Sequence, residues 1–88
     1  MTWRVSFKDA DVVAELEDLP EPDRFRASRK IGRLEEDPFP PGSKKLKARH
    51  PLYRVRSGDY RIVYPVVPED RLVVITRVGH RKDIYRGL

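Results

Sequence analysis

Eighty-eight residues, 38% of them charged and 39% hydrophobic, give one domain over 1–88 with room for a single modest core. The absence of cysteine excludes a disulfide framework and a thiolate metal site, and the two histidines, His50 and His80, stand too far apart in the chain to recommend a zinc site. The formal net charge of +5 hides an uneven split: residues 1–43 hold seven Lys/Arg against ten Asp/Glu, whereas 44–88 hold twelve against four, so the whole positive excess lies in the second half.

The N-terminus has no apolar run of signal-peptide type, and no stretch approaches the roughly 18 apolar residues of a membrane span, so a soluble, cytoplasmic protein is expected. Trp3 to Phe7 alternates apolar and polar, the pattern of a half-buried strand with Trp3, Val5 and Phe7 inward. Asp9 and Asp11 stand where an N-cap and a first helical turn favour acids. Val12, Val13, Leu16 and Leu19 then recur at helical spacing, which predicts a short amphipathic helix over Asp9 to Leu19, ended by Pro20. A second helix follows Glu21, with Pro22 in its first turn and Ala27, Ile31 and Leu34 on one stripe. Arg24, Arg26, Arg29, Lys30 and Arg33 fill its other faces, and the acids Glu35, Glu36 and Asp37 oppose the helix dipole at its end, where fraying is expected.

Pro38, Pro40, Pro41 and Gly42 form a connector that cannot be helical. Lys44 to Arg49 is basic and short, a brief strand or a loop anchored by Leu46. The next stretch, Tyr53 to Tyr64, organises the rest. Its two alternating segments flank Gly58-Asp59, a Gly-first pair suited to a tight hairpin turn. With those two residues as the loop, Ser57 faces Tyr60, Arg56 faces Arg61, Val55 faces Ile62 and Tyr53 faces Tyr64. One side then carries Tyr53, Val55, Tyr60, Ile62 and Tyr64; the other carries Arg54, Arg56, Arg61 and Val63. Like charges directly opposite on a sheet are destabilising, so a face built on three arginines calls for an anion. A turn near Pro68-Glu69-Asp70 leads to Arg71–Val78, a strand apolar on both faces, and Gly79 breaks it. Asp83 to Leu88 is at most one helical turn.

The expected architecture is α+β: an N-terminal strand, a helical hairpin, a three-stranded antiparallel meander and a short tail, with both helices on one face of a small twisted sheet. The arginine face would stay open. Beside it, Gly79-His80-Arg81-Lys82-Asp83-Ile84-Tyr85-Arg86 packs an imidazole, cations and a phenol into a few residues. Guanidinium forks suit phosphate oxygens, and positive charge concentrated in one half of a chain points to a polyanion, most often nucleic acid.

Tyr-Arg-Val-Arg-Ser-Gly-Asp-Tyr-Arg-Ile-Val-Tyr followed by Val-Gly-His-Arg-Lys-Asp-Ile-Tyr resembles the RelE/ParE superfamily of bacterial and archaeal toxins, in its RelE branch of ribosome-dependent mRNA interferases. The likeness covers nearly the whole chain and is most specific in the second half. It implies an endoribonuclease that cuts mRNA in the ribosomal A site, with no cofactor or metal, by attack of a ribose 2′-hydroxyl on the adjacent phosphorus. Arg54 and Arg56 stand where the family places two lysines; Arg61 matches its sheet arginine, Arg81 the arginine after the last strand, and Tyr85 the C-terminal tyrosine. Lys44, Lys45, Lys47, Arg77 and Lys82 would hold the RNA backbone around them. The general base is Tyr85 or His80: a phenol needs nearby cations to serve at neutral pH, whereas an imidazole does not. Arginine keeps the charge of the two lysines and removes their ability to titrate. The turn is also about two residues shorter than in some members. The resemblance further implies a cognate antitoxin, RelB-like or another small DNA-binding protein. The alternatives are a ParE-like inhibitor of DNA gyrase on the same fold and a non-catalytic RNA-binding domain.

Overall fold

The computed structural model describes residues 2–86. The chain runs β1 (Arg4–Phe7), α1 (Ala10–Glu17), α2 (Glu21–Arg33), β2 (Lys44–Leu46), β3 (Leu52–Ser57), β4 (Tyr60–Tyr64), β5 (Val66–Val67), a 3-10 turn (Pro68–Asp70), β6 (Leu72–Ile75) and β7 (Arg77–His80). No helix among the described residues is long and apolar enough to cross a membrane.

Local chemistry sets the helix ends. The Asp9 side chain accepts from the Val12 amide at 3.1 Å, capping α1. Pro20 closes the short link and Pro22 sits in the first turn of α2, where its missing amide hydrogen is not needed. α2 ends at Arg33, before the three acids that would oppose its dipole.

The hairpin adopts the register its alternation predicts: Tyr53 opposite Tyr64, Val55 opposite Ile62, Arg56 opposite Arg61 and Ser57 opposite Tyr60. Gly58 takes φ +60°, which the tight turn requires and which a side chain would strain. Lys44–Leu46 proves to be a strand, antiparallel to β3, and the four-stranded sheet runs β2-β3-β4-β7.

Two features go beyond the expected meander. The N-terminal strand lies parallel to β6, with Arg4 opposite Leu72 and Phe7 opposite Ile75, in a second sheet ordered β1-β6-β5. The long apolar strand also divides at Thr76. Val63 pairs with Arg77 and Val66 with Val73, so three residues, Val74 to Thr76, stand opposite two, Tyr64 and Pro65. This is a β-bulge, and Thr76 closes it by donating its amide (2.9 Å) and its hydroxyl (3.1 Å) to the Val63 carbonyl. Strict alternation would send Ile75 and Val78 to opposite faces; the extra residue turns both into the core.

That core joins Val12 of α1 and Ala27, Ile31 and Leu34 of α2 to Val55, Ile62, Tyr64, Val73, Ile75 and Val78 of the sheets, with Trp3, Val5 and Phe7 packed against it. The outer edge of β7 is not left bare: the Glu15 carboxylate accepts from the Val78 amide at 2.9 Å. Tyr64 is fully buried and its hydroxyl donates to the Pro38 carbonyl at 2.8 Å, tying the proline connector to the sheet. Burial pushes the Tyr64 phenol well above its usual pKa, and the charges of Asp37 and Tyr53 act in the same direction.

Candidate nucleic-acid interface

On the face of the four-stranded sheet away from the helices, the register sets Arg56 opposite Arg61, and Arg61 opposite Gly79. The Arg56–Arg61 repulsion is relieved by bending one partner away. Arg61 is half-buried, and its Nη1 donates to the Gly58 carbonyl at 2.9 Å and the Tyr60 carbonyl at 3.0 Å, which holds the guanidinium over the hairpin turn. Arg56 stays exposed.

Arg81 reaches the same turn from 20 positions further along. Its amide donates to the Asp59 carbonyl at 2.8 Å, and its Nε lies 3.9 Å from the Asp59 carboxylate. The ion pair joins two well-exposed groups and contributes little; the main-chain bond does the positioning. The Arg61 guanidinium and the Arg81 main chain are therefore both anchored on residues 58–60, by backbone carbonyls.

The tail that carries Tyr85 folds back over this face, which is thus less open than the alternation implied. The amides of Asp83 and Ile84 both donate to the His80 carbonyl at 2.9 Å, and the Arg86 amide donates to the Asp83 carbonyl at 3.1 Å. Ile84 is fully buried. It settles over Gly79, where an added Cβ would stand 3.3 Å from its Cδ1. Arg77, on the same face as Gly79, donates from Nη1 to the Arg86 carbonyl at 2.7 Å. Tyr85, held between these two anchors, is 44% exposed.

His80 sits differently. It pairs with Tyr60, on the side of the sheet that carries Ile62 and Val78, and its ring meets the Tyr60 ring edge to face at 5.7 Å. Its Nδ1 accepts from the Lys82 amide at 3.1 Å. Arg54 departs furthest from expectation. The alternation grouped it with exposed Arg56, yet it is 6% exposed, and its Nε has no hydrogen-bond partner among the described residues. Lys44 and Lys45 are exposed on β2, Lys47 in the following loop and Lys82 in the tail.

Two residues shape the site in ways the sequence did not indicate: Gly79, expected to break the strand, lies inside β7 paired with Arg61, and its bare Cα admits the tail, while Ile84 fills that space. A lone isoleucine among charged residues was the available signal.

Comparison with known proteins identifies the family of this fold. Residues 9–85 match the model of the family described as ParE toxin of the type II toxin–antitoxin system parDE. A relative named RelE1 from Methanocaldococcus jannaschii is 32% identical over 79 residues, covering 86% of this chain and 88% of that protein. The archaeal RelE of the RelE–RelB complex from Pyrococcus horikoshii superposes with a TM-score of 0.80 at 33% identity, over 94% of this chain and 99% of that one. The isolated RelE toxin of Escherichia coli does so with a TM-score of 0.74 at 25% identity, over 89% and 83%. The protein folded around this arginine-bearing hairpin belongs to the RelE/ParE superfamily and is a toxin of a type II toxin–antitoxin system.

Proposed function

We propose that this toxin is an endoribonuclease that cuts messenger RNA in the ribosomal A site and so arrests translation. The observation that carries the reading is the anchoring of the Arg61 guanidinium and the Arg81 main chain on the 58–60 turn, with Arg56 directly opposite Arg61 and the Tyr85 tail folded over the same face. In the reaction a ribose 2′-oxygen forms a bond to the adjacent phosphorus while the bond from phosphorus to the 5′-oxygen breaks. The products are a 2′,3′-cyclic phosphate and a free 5′-hydroxyl. The proton of the 2′-hydroxyl passes to the base, and the departing 5′-oxygen takes one up from water.

Negative charge grows on the phosphoryl oxygens, where the Arg61 guanidinium, already held over the turn by two carbonyls, meets it without reorganising, and Arg81 and Arg56 add their charge beside it. Arginine stays protonated, so it stabilises charge and does not carry the proton. Tyr85 is the better-placed base: His80 accepts a hydrogen bond at Nδ1, which puts its own proton on Nε2 and leaves no free lone pair. Lys44, Lys45, Lys47, Arg77 and Lys82 serve the backbone on either side. A RelB-type antitoxin is the natural partner, since RelE is held by RelB in the Pyrococcus horikoshii and Methanococcus jannaschii complexes.

Primer extension on messages after brief induction tests the reading. Codon-phased breaks confined to translated regions are expected. Arg61→Ala and Arg81→Ala should each slow cleavage about 100- to 1,000-fold, since loss of one electrostatic donor costs about 2.7–4 kcal/mol. Unchanged toxicity in the double variant would refute it. The match to a ParE model favours a second reading, inhibition of DNA gyrase; a supercoiling assay that this toxin blocks, with messages left intact, would establish that one instead.

A further inference from the structure

We propose that the groove between α2 and the open edge of β3 is a second, non-reacting stretch of the RNA site, which takes the phosphodiester backbone of the strand where it leaves the arginine face round the sheet edge at Arg56. The proposal rests on the nuclease reading only for which strand enters.

Arg26, Arg29, Lys30 and Arg33 follow i, i+3, i+4, i+7 and so form one stripe along α2. Opposite them runs β3. Its pairing with β2 stops at Arg54, so on that side residues 55–57 have no strand beside them among the described residues. Between stripe and edge lies a groove of about 280 Å³ walled by those four cations, Arg56 and the Ser57–Gly58 backbone, with no carboxylate among its lining residues. Like charges at i, i+4, here Arg26 with Lys30 and Arg29 with Arg33, weaken a helix. Among the described residues, the stripe's one ion pair is a 4.0 Å contact of Arg26 with Asp23. Repulsion left uncompensated along a concave surface is relieved by an anion with repeating charge.

The groove does not end there. It opens into a wider cleft of about 830 Å³ that shares Lys30, Arg33 and Arg56 with it and adds Arg54, the buried arginine whose Nε is unsatisfied. Glu36 and Asp37 line the same cleft, so its positive end is the one next to Arg56. Arg56 thus belongs both to the candidate reaction face, opposite Arg61, and to the groove. A strand bound at one is led to the other. At the outer end of the stripe Phe25 is 64% exposed, with the Arg29 guanidinium 5.9 Å from its ring centroid. An exposed aromatic beside arginines suits a stacked base better than an acidic peptide.

The test uses the full chain and 2′-O-methyl RNA, which lacks the attacking hydroxyl and cannot be cut. Fluorescein-labelled 4-mer and 12-mer are titrated by anisotropy between 50 and 300 mM NaCl. The 12-mer should bind at least ten-fold tighter than the 4-mer. Arg29→Ala/Arg33→Ala should remove most of that advantage and lower the salt slope of 12-mer binding by about 1.4, at about 0.7 per phosphate contact, while 4-mer binding stays put. Both sites are exposed and alanine favours helix, so the variant should fold; circular dichroism checks it. Arg4→Ala/Lys8→Ala removes the same charge from β1 and its flank and should leave the length advantage intact. A retained advantage in the groove variant, an equal loss in the β1 variant, or displacement of the 12-mer by poly-glutamate as effective as by unlabelled RNA would overturn the proposal. Cleavage is not read here, so failure of the groove and failure of the nuclease reading remain distinct results.

Discussion

Replacing Ile84 by alanine should unlatch Tyr85 without touching it. Ile84 is fully buried, and the change removes three carbons, about 2.4 kcal/mol at about 0.8 per group, before any residual cavity is counted. Besides Ile84, the described tail is held by three main-chain bonds within residues 80–86, the Arg81 amide bond to the Asp59 carbonyl, the Lys82 amide bond to His80 Nδ1 and the Arg77 bond to the Arg86 carbonyl. A loss of about 2.4 kcal/mol raises the population of the undocked tail roughly 50-fold. Amide exchange reads this directly. The Ile84 and Asp83 amides, both bonded to the His80 carbonyl, should exchange some 50-fold faster, while the Ile62 and Val63 amides in β4 keep their protection. Cleavage should fall in proportion to the docked fraction that is lost, and so by less than in Tyr85→Ala. Unaltered exchange at Asp83 and Ile84, or full activity with the tail shown to be loose, would refute the view that the tail must dock for Tyr85 to act.

Two further outcomes follow from the fold. The fold holds the Tyr64 phenol in its protonated form, with a pKa raised above that of the unfolded chain. Its contribution is therefore complete below about pH 10 and is lost as pH rises beyond, at about 1.4 kcal/mol per unit. Tyr64→Phe should cost about 1–3 kcal/mol at pH 7, because the buried Pro38 carbonyl loses its donor, and should flatten this alkaline decline; urea titrations at pH 7 and 11 measure both. Asp9→Ala removes the cap on the Val12 amide and should lower stability by about 0.5–2 kcal/mol in the same assay.

Much of this arrangement could be read from residue order because it is local. Asp9, Pro20 and Pro22 set helix ends within a few residues, and Gly58-Asp59 fixed the hairpin register, so that Arg56 stands opposite Arg61 as its alternation implies. What stayed hidden depends on distant partners. Leu72 to Ile75 is apolar on both faces, so nothing in it marks the bulge at Thr76 that turns Val78 inward. Arg54 alternates in step with Arg56, and only the placement of surrounding segments buries one and exposes the other. The arginines of α2 are visible in the sequence, but their facing of the β3 edge is a matter of how the helix lies on the sheet.

The parallel pairing of β1 with β6 has a consequence for biosynthesis. Arg4 finds its partner in Leu72, 68 positions on, so the second sheet cannot begin to close until that stretch has been made. At about 5–20 residues per second the wait is roughly 3–14 s. Throughout it Trp3, Val5 and Phe7 lack the strand they will lie beside, and the inner sides of both helices lack most of their sheet. The nascent toxin is thus most exposed to proteases and misassembly early, and becomes a finished molecule only once its C-terminal half has emerged.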